Sequence, residues 1–150
     1  MVPVQMPVPI TRALAALTGL SQAETFYREL AALESEDFFC SLLDRLQIGY
    51  RLSVEEKEQL PRGGATIVVA NHPFGILDGV ILTSLLLSVR SDVKLFGNTI
   101  LNAIPELAKV IIPVDTGGQA SSVVANVRGV REAHRHLSKD GLLVVFPAGK

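Results

Sequence analysis

Four short apolar runs constrain this chain more than any other feature. They are "ATIVVA" (65–70), "DVKLF" (92–96), "VIIPV" (110–114) and "LLVVF" (142–146). Apart from Asp92 and Lys94 in the second, they are apolar at consecutive positions rather than at alternate ones, the pattern of a strand buried on both faces. Helical stretches lie between them: residues 78 to 90, a shorter one around "TILNAIPELAK", and about 119 to 138. A chain that alternates doubly buried strands with helices is expected to form an α/β fold, a mostly parallel sheet with helices on both faces.

Upstream the texture differs. Residues 1–10 read as an irregular leader and 11–47 as a helical segment, with 48–150 forming the sheet-bearing part. Thr11 can cap "RALAALTGL" and Ser21 can cap "QAETFYRELAAL". In "EDFFCSLLDRLQI", Phe38, Phe39, Leu42, Leu43 and Leu46 make a helical stripe, and Gly49 follows as a stop. "IGYRLS" is a strand candidate. "SVEE", Ser53 to Glu56, fits a capping box opening a small helix that Pro61 ends.

Bulk properties exclude several classes. With 48% hydrophobic and 19% charged residues the chain is neither disordered nor shaped for nucleic acid, and a net charge of −1 offers no basic footprint. The single cysteine, Cys40, rules out an internal disulfide framework; its apolar setting "DFFCSLL" suggests a core thiol. Mean hydropathy is high at +0.36. Yet the best membrane candidate, "GVILTSLLLSV", is about half the ~20 residues that cross a bilayer. The proline-broken opening "MVPVQMPVPITRALAALTGL" is unlike a signal peptide. The expectation is a cytoplasmic protein with peripheral contact to a membrane.

Chemistry gathers in the loops. "NHPFGILD" begins where "ATIVVA" ends and "PAGK" begins where "LLVVF" ends; "DTGG" follows "VIIPV". In parallel sheets all three would emerge at the carboxyl edge, where ligands bind. Within the first loop, His72 has the side chain suited to proton transfer near neutral pH. Asp78 can orient it and stabilise the imidazolium. Each residue also has an ordinary role: Asp78 directly precedes a helix and can cap it, and His72 can be an exposed loop residue. Together, in a loop bent by Pro73 and Gly75, they point to a general base worth ~10²–10⁴ in rate.

Competing motifs fail. There is no G-x-S-x-G elbow and no G-x-G-x-x-G, and the "AGK" ending has Val144 where a P-loop needs its first glycine. Val123, Val127, Val130, His134 and Leu137 fall on one stripe of the long helix. His134 and His136, two apart, face different ways and read as surface or satisfied histidines; no Cys/His set completes a metal site.

"NHPFGILDG", followed about seventy residues later by "VVFPAGK", resembles the lysophospholipid (phospholipid/glycerol) acyltransferase superfamily, whose hallmark is N-H-x4-D with a later F-P-E-G-T-R-S block. It looks nearest to the hemolysin-like or ornithine-lipid-type branch, which "GNTILNAIPELAKVIIPVD" also resembles. The likeness covers about Ile48 to the end. It implies a glycerol-3-phosphate acyltransferase-like fold and transfer of a fatty acyl group from acyl-CoA or acyl carrier protein to the hydroxyl of a lyso-lipid or lipid precursor. No metal, cofactor or nucleic acid is implied, and the expected site is peripheral, on the cytoplasmic face of the inner membrane.

The resemblance assigns His72 as general base and Asp78 as its orienting carboxylate. It assigns Asn71, Pro73, Phe74, Gly75, Asn98, Phe146, Pro147, Ala148 and Gly149 to substrate binding. There are departures. Five residues separate His72 from Asp78 instead of four, and Ala148 replaces the common glutamate. The arginine that would hold an acceptor phosphate is missing around "VIIPVDTGG", so a zwitterionic or amino-acid-headed acceptor is expected over a phosphorylated one. Family domains continue beyond the last motif, so the chain is expected to be the front of a longer domain and inactive alone. The alternative is a lipid- or acyl-carrier-binding module without turnover.

Overall fold

The computed structural model describes residues 35–115 and 120–147. Its centre is a four-stranded, all-parallel sheet of β1 (Thr66–Val69), β2 (Val93–Asn98), β3 (Ile111–Val114) and β4 (Leu142–Val145), in the order β1-β4-β2-β3. The four apolar runs are thus the four strands, but β1, on the edge of the sheet, is not buried on both faces: Ile67 and Val69 are exposed. β4, last in sequence, lies between β1 and β2: Val68 pairs with Val144, and Leu95 pairs with Val144 from the other side. That position explains its unbroken apolar run, since Leu142, Leu143 and Val144 are all buried.

Helices cover both faces. On one face lie α1 (Ser35–Arg45) and α3 (Ile76–Leu87). Phe38, Phe39, Leu42 and Leu43 of α1 pack with Val80, Leu86 and Leu87 of α3 over Val93, Leu95, Ile111, Leu142 and Val144. The two α1 phenylalanines meet edge to face at 5.5 Å. Each contributes about 1.5–3 kcal/mol by burial. A 3-10 turn (Thr99–Ala103) and α4 (Pro105–Val110) close the end of this layer near β3. On the opposite face the long α5 (Ala120–Leu137) packs Ala133 and Leu137 against Phe96, Ile112, Leu143 and Val145.

α2 (Val54–Glu58) carries the full capping box: Ser53 Oγ accepts the Glu56 N–H, and the Ser53 N–H donates to Glu56 Oε2 at 2.8 Å. The helix ends before Pro61, as expected. The expected leader 1–10 and the two helices expected between Thr11 and Leu33 lie outside the described residues.

Three expectations need correction. "IGYRLS" is not a strand; Ser53 has extended dihedrals, but the segment pairs with none of the four strands, and Tyr50 is exposed. Cys40 is not a core thiol. The buried stripe of α1 runs through 38, 39, 42 and 43, and at 100° per residue Cys40 falls outside it, exposed, its Sγ 3.4 Å from Ser84 Oγ. The valine stripe of α5 is not its seam: Val127 and Val130 are exposed, and the helix meets the sheet through the small residues Gly129 and Ala133. His134 is exposed, and His136 is satisfied, its Nε2 lying 2.8 Å from the Asp92 carbonyl and 3.1 Å from that of Leu142.

Arg90 ties the amino-terminal edge of the sheet together. Its guanidinium makes a bidentate pair with Asp92, both contacts 2.6 Å, and donates to the carbonyls of Gly64 and Asp140. One side chain thereby joins the entries to β1, β2 and β4.

Candidate active site

Because the strands are parallel, the connections leaving β1, β2 and β4 open on the same edge. β1 runs out at Val69, and the chain turns at His72-Pro73-Phe74-Gly75, the Gly75 N–H donating to the His72 carbonyl at 3.4 Å. Pro73 fits the second position of this turn, where its ring fixes φ. Gly75 has φ +63 and ψ −132, a conformation that any side chain would strain. It is the N-cap of α3 and, having no side chain, leaves the helix start without a side-chain cap.

Asp78 braces the incoming loop from inside the helix. The helix begins at Ile76, two residues earlier than expected, so Asp78 is in its first turn and is not its cap. Its carboxylate reaches back to accept the Phe74 N–H at 2.7 Å. A carboxylate there also benefits from the helix dipole. The same oxygen, Oδ2, lies 3.6 Å from His72 Nδ1. His72 and Asp78 are therefore brought together, with Nδ1 buried and making no hydrogen bond. The separation is an ion-pair distance, longer than a hydrogen bond by roughly 0.6 Å.

From β4 comes the other wall. Phe146 stacks on the imidazole, ring centroids 4.4 Å apart and planes 27° from parallel. His72 is thus held between an aspartate on its own loop and an aromatic ring from the far end of the chain.

Beside this pair opens a cavity of about 430 Å³. His72, Pro73, Gly75 and Phe146 line its mouth end, and Asn98 lines it from the end of β2. Asn98 Oδ1 accepts the Ile100 N–H, capping the 3-10 turn. Deeper, the walls are apolar: Phe39, Ile76, Val80, Leu95, Leu101, Leu107, Val110 and Ile111. The buried Thr83 adds a hydroxyl.

Of the other residues assigned to the site, Asn71 and Phe74 are exposed and do not line the cavity, and neither does Pro147. Ala148 and Gly149 lie outside the described residues. Sequence reasoning missed the cavity's depth. Its walls come from Phe39 on α1 and from α3, "ILDGVILTSLLL", which is apolar nearly all round. That lack of a polar face was the available signal of a helix buried on more than one side.

Among the described residues no helix is long and apolar enough to cross a membrane. No group of three or more His, Cys, Asp or Glu among them is placed to hold a metal ion.

No curated protein and no solved structure matches the chain. A family model described as acyltransferase matches residues 20–150, which include the His72–Asp78 loop, the cavity and Phe146. The chain belongs to the acyltransferase family.

Proposed function

We propose that the chain moves a fatty acyl group from a thioester donor, acyl-CoA or acyl carrier protein, to the hydroxyl of a lyso-lipid or lipid precursor. The observation that carries this reading is the His72–Asp78 pair set at the mouth of an apolar cavity. In the proposed mechanism Asp78 faces Nδ1 and orients the ring, which leaves Nε2 for the acceptor hydroxyl. As the hydroxyl oxygen attacks the thioester carbon, Nε2 takes its proton. The C–S bond then breaks, and the departing thiolate recovers the proton from the imidazolium. Contraction of the 3.6 Å gap would create the charge-assisted hydrogen bond that stabilises the imidazolium. Stacking on Phe146 keeps the ring from swinging away. The apolar walls suit the acyl chain, whose burial contributes about 0.8 kcal/mol per CH₂.

The acceptor is proposed to be zwitterionic or amino-acid-headed. Among the described residues lining the cavity there is no lysine or arginine to fork a phosphate.

The test is acyl transfer by the purified product of the whole reading frame and its His72→Ala variant, using radiolabelled acyl-CoA and a panel of lyso-lipids. Turnover that falls ~10²-fold or more in the variant supports the general base. Unchanged turnover refutes it. A preference for lysophosphatidate over lyso-ornithine lipid refutes the acceptor assignment.

A further inference from the structure

We propose that Phe74 and Ile100 form a bilayer-docking surface at the mouth of the cavity. This rests on the reading that the cavity takes an acyl chain. Phe74 is 76% exposed and Ile100 is 47% exposed. They stand on different loops, after β1 and after β2, and their neighbours Pro73, Gly75, Asn98 and Leu101 line the cavity. An isolated exposed apolar residue is ordinary. Two on separate loops whose adjacent residues line the same apolar cavity mark a surface beside it.

The backbone under Phe74 is not loose. Its N–H is fixed to Asp78, and it lies inside the turn closed by Gly75. The ring is therefore held outward while other aromatic rings of the chain, Phe38 and Phe39, are fully packed.

Charge decides which partner fits. Segments 70–77 and 95–104 contain no Asp, Glu, Lys or Arg. A protein carrier of acidic surface would be met by basic residues on this rim, and the described rim has none. With the Asp78 carboxylate held by the Phe74 N–H, the outward tips are an aromatic and an aliphatic side chain, which suit the interfacial layer of a neutral or zwitterionic bilayer, where such groups partition favourably. Docked this way, the cavity would open onto the phase in which long acyl chains reside.

The chain has no tryptophan, so Phe74→Trp and Ile100→Trp each supply a unique fluorophore. Val130→Trp, at an exposed site on α5 across the sheet, is the reference. On titration with phosphatidylcholine vesicles, the first two are expected to shift to the blue and to be quenched by brominated acyl chains, while the third is unmoved. Phe74→Ser should weaken vesicle partitioning about tenfold, a loss of ~1.4 kcal/mol. Absence of a shift in both rim variants overturns the proposal, whether the protein stays in solution or sediments with vesicles through another surface. A shift produced by an acidic carrier protein but not by vesicles overturns it in favour of a protein partner. Acyl transfer is assayed separately. Vesicle docking without turnover leaves this surface standing and removes the enzymatic reading; turnover without docking does the reverse.

Discussion

Gly129→Ala separates helix propensity from packing, because the two predict opposite signs. Gly129 sits in the interior of α5. On propensity alone, alanine there should stabilise by about 1 kcal/mol. But a Cβ on Gly129 would lie 2.9 Å from the Pro113 carbonyl oxygen, with Val114 Cγ1 at 3.4 Å and Ile112 Cγ2 at 3.6 Å. The oxygen belongs to the backbone of β3, so it cannot rotate aside, and the two β3 side chains crowd the same space. α5 must lift off the sheet by several tenths of an ångström, loosening the contacts of Ala133 and Leu137. Such overpacking typically costs about 1–3 kcal/mol. Subtracting the propensity gain leaves a net destabilisation of about 1 kcal/mol. Gly79 in α3 is the control. A Cβ there meets Leu95 Cδ1 at 3.7 Å and Phe146 Cε2 at 4.0 Å, ordinary contacts, so Gly79→Ala should stabilise by about 1 kcal/mol. Urea unfolding monitored by circular dichroism gives both values. If both variants gain stability alike, the close approach of α5 to β3 has no energetic weight and the argument fails.

Other substitutions test the site and its frame. Asp78→Asn keeps an oxygen for the Phe74 N–H but loses the charge facing Nδ1; acyl transfer should drop by ~10² or more while the melting temperature moves little. A parallel collapse of thermal stability would make Asp78 a structural residue instead. Gly75→Ala has open space but an unfavourable φ of +63, so it should destabilise by about 1–3 kcal/mol, whereas Gly63→Ala, equally open and without positive φ, should be neutral to slightly stabilising; equal effects would refute the conformational argument. The hydrogen bond from Arg90, ahead of the opposing cost of burial, holds the Asp92 carboxyl below its ordinary value of 3.8. A folded-state value below the unfolded one contributes stability above the unfolded pKa and loses it as pH falls through the folded one. Stability of the native chain should therefore decline as pH drops below about 4, and Asp92→Asn should flatten that part of the urea-midpoint profile. An unchanged slope would show the pair to be idle.

The strands were legible as short apolar runs between helices; burial on two faces accounts for the run of β4, whereas β1 carries a similar run with Ile67 and Val69 exposed. Their order was not: the placement of β4 between β1 and β2 depends on which edges meet in space. The approach of His72 to Asp78 was legible from Pro73, Gly75 and the carboxyl-edge rule, but the start of α3 was not. Aspartate before an apolar run is the ordinary cap, and only the dihedrals of Gly75 show that the helix opens earlier, with Asp78 reaching back. On α5 the stripe through Val127, Val130 and His134 did not show which side of the helix meets the sheet. A helix lying this close to a strand needs small residues at the seam, and Gly129 with Ala133 supplies them. Phe146 was assigned to the site through its motif; its stacking on His72 joins residues 74 positions apart and has no local signature.

The central position of β4 bears on how the chain emerges from a ribosome. β1 has β4 as its ladder partner, with Thr66 opposite Leu142 and Val69 opposite Val145. Until residues 142–145 are available, β1 lacks that partner and the β2 edge that meets β4 is bare, two apolar templates open to wrong partners. At ~5–20 residues per second, the 76 positions between Thr66 and Leu142 represent several seconds of synthesis. Burden on chaperones during this window should fall on the β1 and β2 segments. Insertion of β4 would then join β1 to β2 and bring Phe146 onto His72 in one late step, so the nascent chain acquires its site only when this strand is in place.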